Sequence, residues 1–131
     1  AINKFNIHDH ITLHGYVNND DLVEIYNDAD ILILLSHSDK KKGVEGFGIS
    51  ILEASALGVP AIGSRGTGIE NAIQHNKTGI LVDPYNEAEV ITGIKTLLKR
   101  KKEFSNNASI WANKHSWEII GYKYLQVINN A

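Results

Sequence analysis

The segment that decides the fold begins with an apolar run, Ile31-Leu-Ile-Leu-Leu35, and ends with the stretch Gly43-Val-Glu-Gly-Phe-Gly-Ile-Ser-Ile-Leu-Glu53. The run is apolar throughout, which is typical of a strand covered on both faces in a parallel sheet. The second stretch has closely spaced glycines and then a helical pattern of apolar residues. A strand, a glycine-rich turn and a helix form one βα unit, so the segment predicts an α/β fold.

The same alternation of short apolar runs and helical periods continues outward from this segment. Four strands are predicted, with 30–35 as the central one: 10–14, 30–35, 60–63 and 79–82. Six helices are predicted: 19–27, 48–57, 68–74, 87–99, 101–113 and 117–128. Asn18 or Asn19 is the expected N-cap of the first helix, and Asn86-Glu-Ala-Glu89 predicts a capping box for the fourth.

The composition excludes several classes of protein. The chain has 131 residues, 43% of them hydrophobic and 21% charged, which fits one globular domain over 1–131. A formal charge of -2 gives no overall positive field for nucleic acid. The sequence has no cysteine, so it has no disulfide and no thiolate ligand or nucleophile. Its longest apolar run is far shorter than the roughly 20 residues that cross a bilayer.

The turn before the second helix is the candidate binding site. In an open parallel sheet, ligands bind beyond the carboxyl ends of the strands, and the N-terminus of the following helix attracts phosphate. Gly46 and Gly48 would let a ligand approach the backbone closely. Glu45 and Glu53 flank the turn, and carboxylates suit the paired hydroxyls of a sugar or ribose. The alternative is that the glycines only form the turn and both glutamates are solvated.

Several motifs occur together, in order, along nearly the whole chain. They are Ser36, Glu45-Gly-Phe-Gly-Ile-Ser-Ile-Leu-Glu-Ala-Ser-Ala-Leu-Gly-Val-Pro60, Gly66-Thr-Gly-Ile-Glu70 and Gly79-Ile-Leu-Val-Asp-Pro84. This combination resembles the C-terminal domain of the retaining GT-B glycosyltransferases with a Glu-x7-Glu motif, the glycosyl transferases group 1 family. The resemblance implies a Rossmann-like parallel sheet with helices on both faces.

The resemblance also implies a function and a set of site residues. The domain would bind a nucleotide-sugar donor, a UDP- or GDP-sugar, for transfer to a glycan or lipid-linked acceptor with retention at the anomeric carbon. Glu45 would be the catalytic contact to the donor sugar, Glu53 would hold the ribose hydroxyls, and the loop Tyr16-Val17 would meet the base. The remaining donor-binding positions would be Gly46, Phe47, Gly48 and Ile49. The family's design needs no metal and no other cofactor.

The chain departs from the family pattern at its start. The family domain normally has two further strands and a Gly-Arg and a Lys-Gly upstream, and a separate acceptor domain precedes it. We therefore expect Ala1 to be an internal position of a longer protein and the chain to be inactive alone. In the strand order 3-2-1-4-5-6 the two upstream strands would separate strand 10–14 from strand 30–35. We expect an exposed sheet edge that promotes self-association. The competing hypotheses are a non-catalytic nucleotide or nucleotide-sugar binding module and an unused scaffold.

Other polar signals are weaker. His8, His10 and His14 lie close together, but a strand would place His10 and His14 on one face without an acidic or thiol partner there, which argues against a metal site. Arg65 is expected in a loop beside the donor site, where a solvent-facing side chain is the simpler interpretation. Lys99-Arg-Lys-Lys102 is expected to balance a helix end, with contact to anionic lipid as the alternative. His37 and the run Asp39-Lys-Lys-Lys42 are expected in the loop before the glycines. We expect the protein in the cytoplasm or at the cytoplasmic face of the membrane.

Overall fold

The computed structural model describes residue 5 and residues 7–36 and 46–129. Its sheet contains β1 (Leu32–Leu34), β2 (Ala61–Ser64) and β3 (Gly79–Val82), all parallel and in the order β1-β2-β3. In the register of the sheet, Ala61 is paired with Leu32 on one side and with Gly79 on the other. The predicted parallel α/β architecture is confirmed.

Within the described residues, five α-helices accompany the sheet, and their bounds lie close to the predicted ones. They are α1 (Asn19–Asp28), α2 (Ile49–Ala56), α3 (Glu87–Lys99), α4 (Lys101–Asn113) and α5 (Trp117–Asn129). The cap of α1 is Asn18, whose side chain accepts from the backbone N–H of Asp21. The side chain of Asn86 accepts from the N–H of Glu89 in the same way. Short polar side chains therefore set both starting points.

Helices cover the sheet on both faces, and each face has its own core. On one face α2 contributes Ile51 to a cluster that includes the residues Ala61, Ile69, Ala72 and Ile73. On the other face α3 and α4 contribute Leu97 and Phe104 to a cluster that includes Ile62, Ile80 and Val82. Alternate residues of each strand thus enter opposite cores, as the period of a strand requires.

The prediction of a strand over 10–14 was wrong. The chain forms a short 3-10 helix at His8–His10 and then runs on without regular structure to the cap of α1. Leu13 is 80% exposed there. A strand gains its stability from the ladder with a neighbour, and within the described sheet β1 pairs only with β2. Residues 11–14 have the composition of a strand but no partner in that sheet.

The prediction of 30–35 as the central strand was also wrong. In the described sheet β1 lies at the edge, where Ile33 is 45% exposed, whereas all four residues of β2 are buried. The apolar run still packs on both faces, since Leu32 and Leu34 enter one core and Ile31 and Leu35 the other. An unbroken apolar run therefore indicates that both faces of a strand are covered. It does not indicate whether both edges of the strand are paired with neighbouring strands.

The helix predicted over 68–74 is shorter than expected. Only Gly68–Asn71 is helical, and it is a 3-10 helix. Beyond it, the backbone N–H of Gln74 donates to the hydroxyl of Thr78 at 2.9 Å. Because the Gln74 N–H bonds to this side chain, it is not available for a helical bond to the backbone, and the helix does not continue. The chain turns back towards β3 instead.

The basic run 99–102 lies at the junction of α3 and α4. Arg100 pairs with Glu103 at 2.6 Å, and Lys101 pairs with Asp30 at 2.6 Å, so half of the run has a carboxylate partner. Because Asp30 precedes β1, this cluster sits at the end of the sheet opposite the carboxyl ends of the strands. Among the helices that the structure describes, none is long and apolar enough to cross a membrane.

Candidate functional site

The first turn of α2 lies at the carboxyl end of β1. Its N-cap, Gly48, is buried and adopts the left-handed conformation, with φ 78° and ψ 60°. A Cβ at this position would lie 3.2 Å from Cδ1 of Ile51 and 3.6 Å from Cδ2 of Leu34. Glycine is required here both by the positive φ and by the tight packing. Having no side chain, it also supplies no acceptor to the first N–H groups of the helix.

Two of the predicted site residues share the outward face of α2. Ile49 is 62% exposed, and Glu53, one turn further on, is also exposed. The opposite face of the helix is buried through Ile51, Ala54 and Ser55. The spacing of four residues therefore places the Glu53 carboxylate on the same side as the open first turn.

The structure describes some of the other predicted residues of this turn and not all of them. Gly46 is exposed and Phe47 is 37% exposed, immediately before Gly48. Glu45, the predicted contact to the donor sugar, lies outside the described residues, as do His37 and 39–42. Glu45 therefore stays a prediction.

A buried hydroxyl joins the ends of β1 and β2. The backbone N–H of Ser36 donates to Oγ of Ser64 at 2.6 Å, and Ser64 is fully buried. The hydroxyl of Thr67 donates in turn to the carbonyl of Ser64 at 3.2 Å. This bridge fixes where the chain leaves β1 on its way to α2. Ser64 was not among the predicted site residues, although its position directly after a predicted strand was a usable signal.

The loop after β2 is folded back on itself and on β3. The N–H of Gly66 donates to Glu70 at 2.7 Å, and the guanidinium of Arg65 donates to the carbonyl of Leu81 at 3.0 Å. Arg65 also pairs with Glu89 at 3.4 Å. The side chain of Arg65 is thus directed to the outer edge of β3 and to α3.

A tyrosine hydroxyl lies within electrostatic reach of Glu53. Tyr26 of α1 is 9% exposed and packs against Ala54 and Val59. Burial, with a smaller contribution from the negative charge of Glu53, raises the pKa of Tyr26 above its ordinary value of 10.0. The residue next to Ala54 in α2 is Glu53, so α1 supports the helix at the point where the ribose contact is predicted.

Aromatic side chains from the end of α4 reach the turn before α2. The ring centroids of Phe47 and His115 are 6.0 Å apart, and those of Trp111 and His115 are 4.4 Å apart. We call Phe47, Trp111 and His115 the aromatic cluster. Nothing in the sequence pattern links position 47 with position 115, so the contact between Phe47 and His115 was not predicted.

The loop that was predicted to meet the base lies against α1. Tyr16 is 95% exposed and, with Val17 and His14, borders a groove of about 300 Å³. The α1 residues along this groove include the carboxylates of Asp21, Glu24 and Asp28, and α2 contributes none of its described lining. The base contact of Tyr16 and Val17 stays a prediction.

A second groove, of about 350 Å³, runs between β3 and α3, away from the first turn of α2. Arg65, His75 and Glu89 are among its lining residues. Within residues 7–36 and 46–129, no three histidine or acidic side chains are grouped so that they could hold a metal ion.

The geometry at α2 suits an anionic ligand that carries hydroxyl groups. A helix N-terminus attracts negative charge through its dipole and its backbone N–H groups. The carboxylate of Glu53 accepts hydrogen bonds only, so its natural partners are hydroxyl groups. A phosphate at the first turn and a sugar ring beside Glu53 would satisfy both.

Similarity to known proteins extends over most of the chain. The sequence model of the family described as "Glycosyl transferases group 1" matches residues 1–115. The chain is 38% identical over 91 residues to a GDP-mannose-dependent alpha-(1-6)-phosphatidylinositol monomannoside mannosyltransferase of Mycobacterium tuberculosis, covering 69% of this chain and 24% of that protein. It is 32% identical over 97 residues to a D-inositol 3-phosphate glycosyltransferase of Geodermatophilus obscurus, covering 74% of this chain and 20% of that protein.

Solved structures share the fold. Sucrose-phosphate synthase from Thermosynechococcus elongatus superposes with a TM-score of 0.79 at 22% identity, over 99% of this chain and 33% of that one. HepE of Anabaena in complex with UDP superposes with a TM-score of 0.79 at 18% identity, over 99% of this chain and 35% of that one. The chain spans a quarter or less of the length of the two relatives and about a third of these structures.

Proposed function

The chain belongs to the glycosyl transferases group 1 family, and from that premise we propose that it forms the donor-binding part of a retaining glycosyltransferase. The donor is a UDP- or GDP-sugar, and the acceptor is a glycan or a lipid-linked sugar. The single observation that carries the proposal is the open first turn of α2, with Gly48 as its cap and Glu53 one turn below Ile49.

Each part of the donor has a matching group. The diphosphate lies at the N-terminus of α2, where the backbone N–H groups and the helix dipole favour negative charge. Glu53 accepts from the ribose hydroxyls, and Glu45 contacts the donor sugar. Tyr16 and Val17 meet the base. The names of the similar proteins agree with a nucleotide sugar, since one is GDP-mannose-dependent and another was solved with UDP.

The chemical role of α2 is electrostatic. As the bond from the anomeric carbon to the diphosphate breaks, negative charge grows on the leaving phosphate. Donors that already point at that position stabilise the charge without reorganising. Gly48, Ile49 and Ser50 supply backbone N–H groups there, so no metal is needed for this step.

Titration of the 131-residue chain with UDP, GDP and ADP and their sugar conjugates, followed by calorimetry, tests the proposal. We expect saturable binding of one diphosphate series. Loss of the Glu53 hydrogen bonds in Glu53→Ala should weaken binding by about tenfold to a hundredfold, the equivalent of roughly 1.5–3 kcal/mol for bonds to a charged group.

The matched control is Glu103→Ala, which removes an exposed glutamate of α4 at the opposite end of the sheet. It should bind as the unchanged chain does, and thermal unfolding should show both variants folded. Absence of binding to every nucleotide, or equal loss in both variants, would refute the proposed donor site.

We propose further that the isolated chain binds donor without transferring it, because the resemblance assigns the acceptor to a separate domain. No release of free nucleoside diphosphate above the rate without protein is the expected result. The non-catalytic module is the competing hypothesis, and the same assay on the full-length protein distinguishes the two.

A further inference from the structure

The ring of Phe47 is held by the C-terminal half of the chain. Phe47 stands directly before the left-handed turn at Gly48, and its ring centroid lies 6.0 Å from that of His115, with the planes inclined by 44°. His115 follows the end of α4. The contact therefore joins the end of α4 to the first turn of α2.

His115 is itself fixed in orientation. Its Nδ1 lies 2.9 Å from the backbone oxygen of Trp111, and the two rings meet edge-on at a centroid distance of 4.4 Å. A carbonyl oxygen only accepts hydrogen bonds, so Nδ1 is the nitrogen that carries the hydrogen. This hydrogen bond fixes the direction in which the imidazole faces Phe47.

Trp111 is anchored to the other side of the site. Its indole Nε1–H donates to the carbonyl of Ala72 at 2.9 Å. Ala72 shares a buried cluster with Ile69, and Ile69 lies beside Gly48, 3.5 Å from where a Cβ would stand. A closed circuit of contacts therefore runs from Gly48 through Ile69, Ala72, the indole and the imidazole back to Phe47.

We propose that His115 is a positioning residue that holds Phe47, and through it the turn at Gly48, in the conformation that presents the first N–H groups of α2. The consequence for ligand affinity rests on the proposed function. The imidazole contacts the ring of Phe47, and the backbone that follows that ring is what meets the diphosphate. A difference of about 1 Å in such a turn changes the direction of several N–H groups at once.

Backbone amide signals of the ¹⁵N-labelled chain test this without any ligand. We expect His115→Ala to shift the amides of 46–49, and His115→Phe, which keeps a ring against Phe47, to restore them in large part. Lys114→Ala, the matched control on the adjacent exposed residue, should leave them unchanged. Trp111→Phe keeps a ring but loses the bond to Ala72, so we expect an intermediate shift.

Nucleotide titration gives the second measurement. His115→Ala should weaken binding of the preferred diphosphate by about twofold to tenfold, the value of one aromatic contact, and His115→Phe should recover most of it. Melting temperatures identify any variant that has simply lost its fold.

An unchanged Gly48 amide in folded His115→Ala overturns the proposal, whether or not the chain binds nucleotide. Shifted amides with unchanged affinity overturn it too, because the turn would then not depend on the contact for binding. If the unsubstituted chain binds no nucleotide, the proposed function fails, and the amides alone decide whether His115 orders the turn.

Discussion

Replacing Gly48 by alanine perturbs the turn on which the proposed site depends. The residue has φ 78°, a region in which a side chain costs about 1–2 kcal/mol. Alanine also lowers the conformational entropy of the unfolded chain relative to glycine, which offsets about 0.4–1 kcal/mol of that cost. A Cβ would also lie 3.2 Å from Cδ1 of Ile51, which is tighter than ordinary contact, so the packing must give way. We estimate the total loss of stability at about 1–3 kcal/mol.

Gly66 provides a control that separates the two causes. It has nearly the same backbone, with φ 77°, but nothing stands within 4 Å of its Cβ position. Gly66→Ala therefore carries only the conformational cost, a net loss of about 0.5–1.5 kcal/mol. The difference between the two variants in the free energy of unfolding measures the cost of the contact with Ile51.

Urea unfolding followed by circular dichroism at 222 nm gives both free energies, with the slopes compared to exclude a change in the unfolded state. Gly48→Ala should be the less stable variant and should also lose nucleotide affinity. Equal stability of the two variants would refute the packing argument, and no loss in either would refute the assignment of positive φ.

Two further outcomes are expected. In Gly79→Ala the added Cβ would overlap the carbonyl oxygen of Ala61, so β2 and β3 would have to separate. Urea unfolding should show a loss of at least about 3 kcal/mol in the free energy of unfolding, or no folded chain. An unchanged midpoint would contradict the register of β2 and β3. The pKa of Tyr26 is raised in the fold, chiefly by burial and also by Glu53, so its contribution to stability is complete below the unfolded value of 10.0 and is lost as pH rises through the higher folded value. Tyr26→Phe should reduce this alkaline loss, and an identical decline of stability with pH in both proteins would contradict it.

The elements that were predicted well are those set by neighbouring residues. Asn18 and Asn86 begin their helices through bonds to residues three positions away, and Gly48 begins α2 through its own backbone freedom. The helix predicted over 101–113 has those bounds in the structure. Such signals lie within one turn of chain, where spacing alone decides which groups meet.

The elements that were predicted wrongly depend on partners far along the chain. Residues 10–14 have the composition of a strand, but a strand needs a neighbour at its edge, and composition does not name one. Residues 30–35 were placed at the centre of the sheet for the same reason, because composition does not show how many neighbours a strand has. The apolar residues correctly indicated that both faces of this strand are packed. They did not indicate that the strand lies at the edge of the described sheet.

The sequence by itself determined the alternation of strands and helices, the turn at Gly48 that begins α2, and the position of Glu53 one turn after Ile49. These follow from local periodicity and from the absence of a Cβ. Only the tertiary structure decided that Ser64 holds the end of β1 and that His115 meets Phe47. Those contacts join residues that become neighbours only after the sheet and α4 have packed, so no spacing within the sequence could indicate them.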